Sequence, residues 1–226
     1  MASYNRIPLT RRVLADLDTP LSVYVKLAQG KHSFLLESIE GGEKWGRYSI
    51  IGLPATRTIV VRDHEICIRD GDDIVEQHTV DDPLKYIDDY QKRFAPPPLE
   101  QLPRFCGGLV GYFGYDTVRY VEPRLTHSSP PDPLDTPDIY LLQVDDFVVF
   151  DNLRGELLLV KYIEAGDPKA RREGELALDE LIAVLNKPAP ALPSPCQFET
   201  SAEIDFHSEF GHQEFLAAVD TIKQYI

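Results

Sequence analysis

The sequence predicts an α+β fold, with antiparallel sheets packed face to face and helices outside. Three observations lead there. Short runs rich in Ile and Val follow one another with only Gly, Pro and Asp turns between them, as at Asp70-Gly71-Asp72. Two Asp-Pro pairs, Asp82-Pro83 and Asp167-Pro168, each open a stretch of helical periodicity, with Asp as N-cap and Pro at the first helical position. The strands come in blocks, not in the alternating βαβ order of a parallel sheet.

Taken in order, Leu14, Leu17, Leu21, Tyr24 and Leu27 recur at roughly helical spacing within Leu9–Ala28. Thr19-Pro20 interrupts them, so two short helices meeting at Pro20 are expected. Ser33–Ser38, Tyr48–Leu53, Arg57–Arg62, Glu65–Arg69 and Ile74–Thr79 then read as the strands of an antiparallel meander. The helix capped by Asp82 sets Leu84, Ile87, Gln91 and Phe94 on one face and stops at Pro96-Pro97-Pro98. A glycine-rich strand, Phe105–Tyr112, and a short helix, Tyr115–Val121, follow. Glu122–Pro137 holds five prolines and reads as a long loop.

Ile139–Phe150 and Glu156–Ile163 read as two long strands. Asp151-Asn152-Leu153-Arg154-Gly155 joins them as a hairpin. Leu178, Leu181, Ile182 and Leu185 stripe the helix after Asp167-Pro168. Lys187–Pro195, with four prolines, is a linker. The last helix carries Phe215, Val219, Ile222 and Ile226 on one face. No Gly, Asn or Pro closes it, so a continuation is expected. The expected organisation is a domain over 1–186, a Pro-rich linker over 187–206 and the start of a further domain over 207–226.

A chain of 226 residues can bury a sizeable core as one large domain or two small ones. With 23 basic against 37 acidic residues, the net charge of −14 repels phosphate backbones and argues against a nucleic-acid partner. No apolar run reaches membrane-spanning length, and the N-terminus lacks a signal-peptide core. Cys67, Cys106 and Cys196 form no C-x-x-C pair, so neither a disulfide framework nor a zinc site follows, and a reduced cytoplasmic setting is expected.

The most informative stretch is Phe34-Leu35-Leu36-Glu37-Ser38 with Gly41-Gly42-Glu43-Lys44-Trp45-Gly46-Arg47-Tyr48-Ser49-Ile50-Ile51-Gly52. It reads as an apolar strand ending in a carboxylate and a hydroxyl, a glycine turn and a second apolar strand. Two polar groups at the edge of an apolar core make a seat for a small amphipathic ligand such as an amino acid. Alone, Glu37-Ser38 reads instead as a strand ending at a surface turn, with Ser38 capping the next backbone N–H. A second stretch, Gly107-Gly108-Leu109-Val110-Gly111-Tyr112-Phe113-Gly114-Tyr115-Asp116, places glycines at 108, 111 and 114. That spacing is not a dinucleotide fingerprint, and it points to close backbone packing and a tight turn at Gly114.

The acidic pairs Asp72-Asp73, Asp81-Asp82, Asp88-Asp89 and Asp145-Asp146 lie in turns, at a helix start or on solvated faces, without EF-hand spacing. His207 and His212 are expected at the surface. No H-x-x-E-H, G-x-S-x-G or Cys-His arrangement emerges. The chain offers no catalytic constellation.

Residues 34–52 resemble the N-terminal tryptophan-feedback motif of anthranilate synthase component I, and residues 105–122 resemble its Gly-Tyr-Asp segment. The resemblance implies that Glu37 and Ser38 contact bound L-tryptophan. A carboxylate would pair with its ammonium, and a hydroxyl or backbone N–H would hold its carboxylate. Arg47 resembles a basic position after the motif, whose fork suits a carboxylate; an exposed strand-end charge is the equal alternative. In that family the enzyme converts chorismate and ammonia to anthranilate and pyruvate with Mg²⁺, and a glutamine amidotransferase subunit supplies the ammonia. The chorismate, Mg²⁺ and catalytic residues lie in the C-terminal half. The resemblance therefore implies that 1–186 is regulatory, that 207–226 begins the chorismate-binding domain, and that this chain alone is inactive. Two other readings stand beside it. One is aminodeoxychorismate synthase component I, which the Glu before Ser38 disfavours. The other is a free-standing amino-acid-binding module, which the open-ended last helix disfavours.

Overall fold

The computed structural model describes residues 4–37, 46–97, 105–125, 132, 134–190 and 207–225. In chain order these hold strand β1 (Arg6–Leu14), helix α1 (Pro20–Leu27), strands β2 (Phe34–Leu36), β3 (Tyr48–Gly52), β4 (Arg57–Arg62), β5 (Glu65–Asp70) and β6 (Asp73–Thr79), and helix α2 (Pro83–Gln91). Strands β7 (Gly108–Phe113), β8 (Ile139–Val144), β9 (Asp146–Asp151) and β10 (Glu156–Glu164) follow, then helices α3 (Pro168–Leu185) and α4 (His212–Tyr225). Contacts divide the chain into two units, 1–190 and 191–226.

In the first unit, two five-stranded antiparallel sheets pack face to face. One has the order β1-β10-β9-β3-β2, the other β6-β5-β4-β8-β7. The layering follows from side-chain alternation. Along β9, Phe147 and Val149 point between the sheets, where they meet Leu142 and Val144 of β8 and Leu158, Val160 and Tyr162 of β10. The alternate residues Val148, Phe150, Leu157 and Leu159 face outward onto Val23 and Leu27 of α1 and Leu178 and Leu185 of α3. Strands covered on both faces read as continuous apolar runs, which is why β9 and β10 show little alternation. On the far side, Ile59, Val61, Ile66 and Ile68 of the second sheet pack on Ile87 and Tyr90 of α2.

The caps work as the sequence foretells. The Asp82 carboxylate accepts the Lys85 amide at 2.9 Å, and the Asp167 carboxylate accepts the Lys169 amide at 2.8 Å. At α1, Thr19 and Ser22 form a reciprocal capping box ahead of Pro20.

Three expectations are corrected. Residues Arg6–Leu14 form a strand, not a helix, paired with β10 along its whole length. Of the residues that set the apparent helical spacing, Leu14 is 75% exposed and Leu17 fully exposed, whereas Leu21, Tyr24 and Leu27 lie in the second expected helix, α1, and Leu27 is buried. The residues that matter are Ile7, Leu9 and Val13, which share one strand face and pack into the cluster under α3. Second, Ile139–Phe150 is two strands. The chain turns a corner at Asp145, so β8 lies in one sheet and β9 in the other. Third, only β4, β5 and β6 form a consecutive meander, since β2 and β3 belong to the other sheet. The short helix expected after β7 is present as a 3-10 helix over Tyr115–Tyr120.

In the second unit the described structure includes α4, which buries none of its residues. Phe215 and Ile222 of its apolar stripe are each more than half exposed. Ile226, Cys196 and the linker residues 191–206 lie outside the described residues.

Candidate functional site

Strand β2 is the edge strand that delivers the Glu37-Ser38 motif. It is three residues long and pairs with β3 in the register Phe34↔Gly52, Leu35↔Ile51 and Leu36↔Ile50. The Phe34 ring lies across Gly52 so closely that a Cβ there would come within 2.0 Å of it. The aromatic ring covers the glycine, which pins the register of this short hairpin. Leu36 is 48% exposed, and Glu37 just beyond it is exposed. Ser38 lies outside the described residues.

The chain is described again from Gly46, where the β9–β10 turn holds it. The Asn152 amide N–H donates to the Arg47 carbonyl at 2.8 Å, and the Asn152 side chain donates to the buried Ser49 hydroxyl at 3.1 Å. The Arg47 guanidinium grips Asp151 through Nε at 2.9 Å and Nη2 at 2.5 Å. It also lies over the Tyr48 ring, 4.9 Å from its centre. Asp151 is the centre of this knot, because it also accepts the amides of Leu153 at 3.1 Å and Arg154 at 3.2 Å. Burial pushes the Asp151 carboxyl up, but the Arg47 fork and these two amides outweigh it and hold it below the usual carboxylate range.

Sequence reasoning offered Arg47 as a carboxylate ligand. The structure gives its fork to a carboxylate of this chain, Asp151, which lies 104 positions away. What sequence reasoning missed is that Asp151, Asn152 and Ser49 form a clamp. The bidentate geometry fixes where β3 starts and hence where the motif's second half enters the sheet. The signal available was the Asp151-Asn152 pair at the head of a hairpin turn, a position where Asx side chains bind nearby amides.

Asp151→Asn should therefore lower Tm by roughly 2–8 °C at neutral pH. The depressed carboxyl contributes stability above the unfolded carboxylate pKa of about 4, and this is lost as pH falls through the lower folded value. The gap between the melts of the two proteins should shrink progressively as pH falls below about 4. A gap unchanged from pH 7 to pH 3 would show that the charge is irrelevant.

Around this knot, Arg47, Tyr48, Val149, Asp151 and Leu158 border a cavity of only 50 Å³. Pockets that bury a drug-sized ligand run to several hundred Å³. The described residues thus supply a shallow space beside Tyr48. Among the described residues, no group of three or more His, Cys, Asp or Glu side chains gathers as metal ligands. None of the described helices is long and apolar enough to cross a membrane.

Comparison with known proteins covers nearly the whole chain. The sequence pattern of the chorismate binding enzyme family matches residues 31–226. Anthranilate synthase component 1 of Pseudomonas putida is 45% identical over 99% of this chain and 45% of its own length. The protein of the same name from Aquifex aeolicus is 37% identical over 99% of this chain. The chain spans about half the length of these curated relatives. Among solved structures, anthranilate synthase component I from Streptococcus pneumoniae superposes with a TM-score of 0.51 at 24% identity, over 80% of this chain and 38% of that one. That likeness supports the two-sheet fold.

Proposed function

We propose that this chain, which belongs to the family of chorismate-binding enzymes, is the N-terminal regulatory part of an anthranilate synthase component I and carries one wall of its L-tryptophan feedback site. The observation that carries the reading is 45% identity across 99% of the chain to a protein of that name. The whole enzyme would convert chorismate and ammonia to anthranilate and pyruvate in the cytoplasm, with Mg²⁺ and a glutamine amidotransferase subunit. Residues 1–186 would regulate, 187–206 would link, and 207–226 would open the chorismate-binding domain.

In this reading, Glu37 holds the ligand ammonium and Ser38 its carboxylate. Arg47 completes the motif, and its grip on Asp151 makes it a positioning residue before it is a ligand. The half-buried Tyr48 and Ile50 give the indole an apolar platform. The 50 Å³ space beside Tyr48 fits a site whose opposite wall comes from elsewhere in the enzyme. Tryptophan inhibits only to the extent that it binds one state of the enzyme better than the other.

The test is Ser38→Ala in the full-length enzyme. Losing one hydrogen bond to a charged ligand group costs about 1.5–3 kcal/mol, so the inhibitory constant should rise about ten- to a hundredfold while turnover stays largely intact. Unchanged inhibition would remove Ser38 from the site. The same assay separates the sister enzyme, since an aminodeoxychorismate synthase would release no fluorescent anthranilate.

A further inference from the structure

We propose that Arg154, which lies outside the motif, is the cation that holds the inhibitor's carboxylate, in the place that sequence reasoning gave to Arg47. This inference rests on the tryptophan reading and adds a residue to its site. The 50 Å³ space beside Tyr48 is bordered by three guanidiniums, those of Arg12, Arg47 and Arg154, and by two carboxylates, those of Asp151 and Glu156. One cation is therefore left over at this rim. Which one it is follows from the bonds that each group makes.

Arg47 is spent on Asp151 through Nε and Nη2. Arg12 reaches Glu156 through Nη1 at 3.5 Å. The Arg154 side chain makes no hydrogen bond or ion pair with any described residue. Asp151 has no room for it. Its carboxylate already accepts Nε and Nη2 of Arg47 and the amides of Leu153 and Arg154. Those N–H groups fill the roughly four acceptor sites that a carboxylate offers. Glu156 keeps one oxygen without a protein donor, but its side chain is 33% exposed, so water serves that oxygen. A free acid at the rim also repels a second anionic group. The ligand that fits is thus an amino-acid zwitterion with one carboxylate.

A surface arginine without a partner is common. This one differs in where it is rooted. The Arg154 amide is bonded to both the carbonyl and the carboxylate of Asp151, at 3.2 Å each. Gly155, next in the chain, closes the turn at a φ of +62°. The exposed side chain therefore starts from a fixed point on the border of a space that Tyr48, Val149 and Leu158 also line. An aromatic amino acid can lay its ring on that apolar surface and give its carboxylate to the guanidinium fork, which suits a carboxylate bidentately.

The experiment measures inhibition of the full-length enzyme by L-tryptophan, with Ser38→Ala run alongside. In Arg154→Gln the inhibitory constant should rise about ten- to a hundredfold, the loss expected for a hydrogen bond to a charged group. Arg154→Lys should fall between wild type and Arg154→Gln, because lysine keeps the charge and loses the fork. The ligand-free Tm of Arg154→Gln should match wild type, since the side chain is exposed and unpaired. A clearly lowered Tm would mean that Arg154 serves the fold, and would overturn the proposal. So would Arg154→Lys as weakly inhibited as Arg154→Gln, which would take the charge out of the argument. Weakened inhibition in Ser38→Ala with none lost in Arg154→Gln would overturn Arg154 and leave the tryptophan site standing. No change in either variant would overturn both. Loss in Arg154→Gln alone would remove Ser38 and keep Arg154.

Discussion

Gly111→Ala should abolish the pairing of β7 with β8 and cost at least about 3 kcal/mol, the upper end for forcing extra atoms into packed structure. A Cβ at Gly111 would come within 1.9 Å of the Tyr140 carbonyl oxygen and 2.9 Å of the Leu141 Cα. Both obstacles are backbone of the neighbouring strand, so no rotamer change relieves them. Tyr140 and Leu141 are themselves tied to β4 through the pairs Val60↔Tyr140 and Ile59↔Leu141, so the strand cannot retreat without opening the sheet. A loss of this size is a large fraction of the total stability of a domain. Gly166→Ala is the control. Its φ is +85° but nothing lies within 4 Å of the added carbon, so only backbone strain of about 1 kcal/mol is at stake. Urea unfolding of the two variants should separate them clearly, and equal midpoints would refute the steric argument.

The second large effect concerns activity. Purified and supplied with chorismate, ammonia and Mg²⁺, the chain should release no anthranilate above blank. The basis is the family resemblance, which places the catalytic residues in the C-terminal half, and this chain spans 45% of the length of the Pseudomonas putida relative. The shifts of two carboxyls have causes within the fold: Asp151 is held down by Arg47 and two amides against the effect of burial, and Asp146 is pushed up by burial against the pull of Lys161. Measurable turnover that is lost on adding a chelator would overturn the division of labour proposed for this polypeptide.

How much of this was legible in the sequence depended on whether the deciding force was local. The Asp-Pro helix starts were, because capping is settled within four residues, and α2 and α3 begin where Asp82 and Asp167 place them. The Gly111 contact was also legible as close packing, since a strand glycine has few other uses. Strand β1 was not. Its fate is set by β10, and the exposed Leu14 and Leu17 imitated a helical stripe. Nor was the change of sheet at Asp145, where an apolar run of strand residues continues on both sides. The only hint was two adjacent acids in the middle of that run. At the candidate site, Glu37 sits exposed at the strand end as read, Ser38 lies outside the described residues, and Arg47 is claimed by a partner that sequence distance hid.

The pairing of β1 with β10 has a consequence for synthesis on the ribosome. Arg6 is opposite Glu164 in the register, 158 positions later. At about 5–20 residues per second, β1 emerges roughly 8–30 s before the strand it needs exists. During that wait, Ile7, Leu9 and Val13 have no sheet to join. The α1 helix and the β4–β5–β6 meander close on neighbours already made, so they can form early, whereas the first sheet is completed last. A nascent chain stalled before β10 would leave its N-terminus as an unpaired, half-apolar strand, the kind of segment that chaperones bind and that aggregates seek.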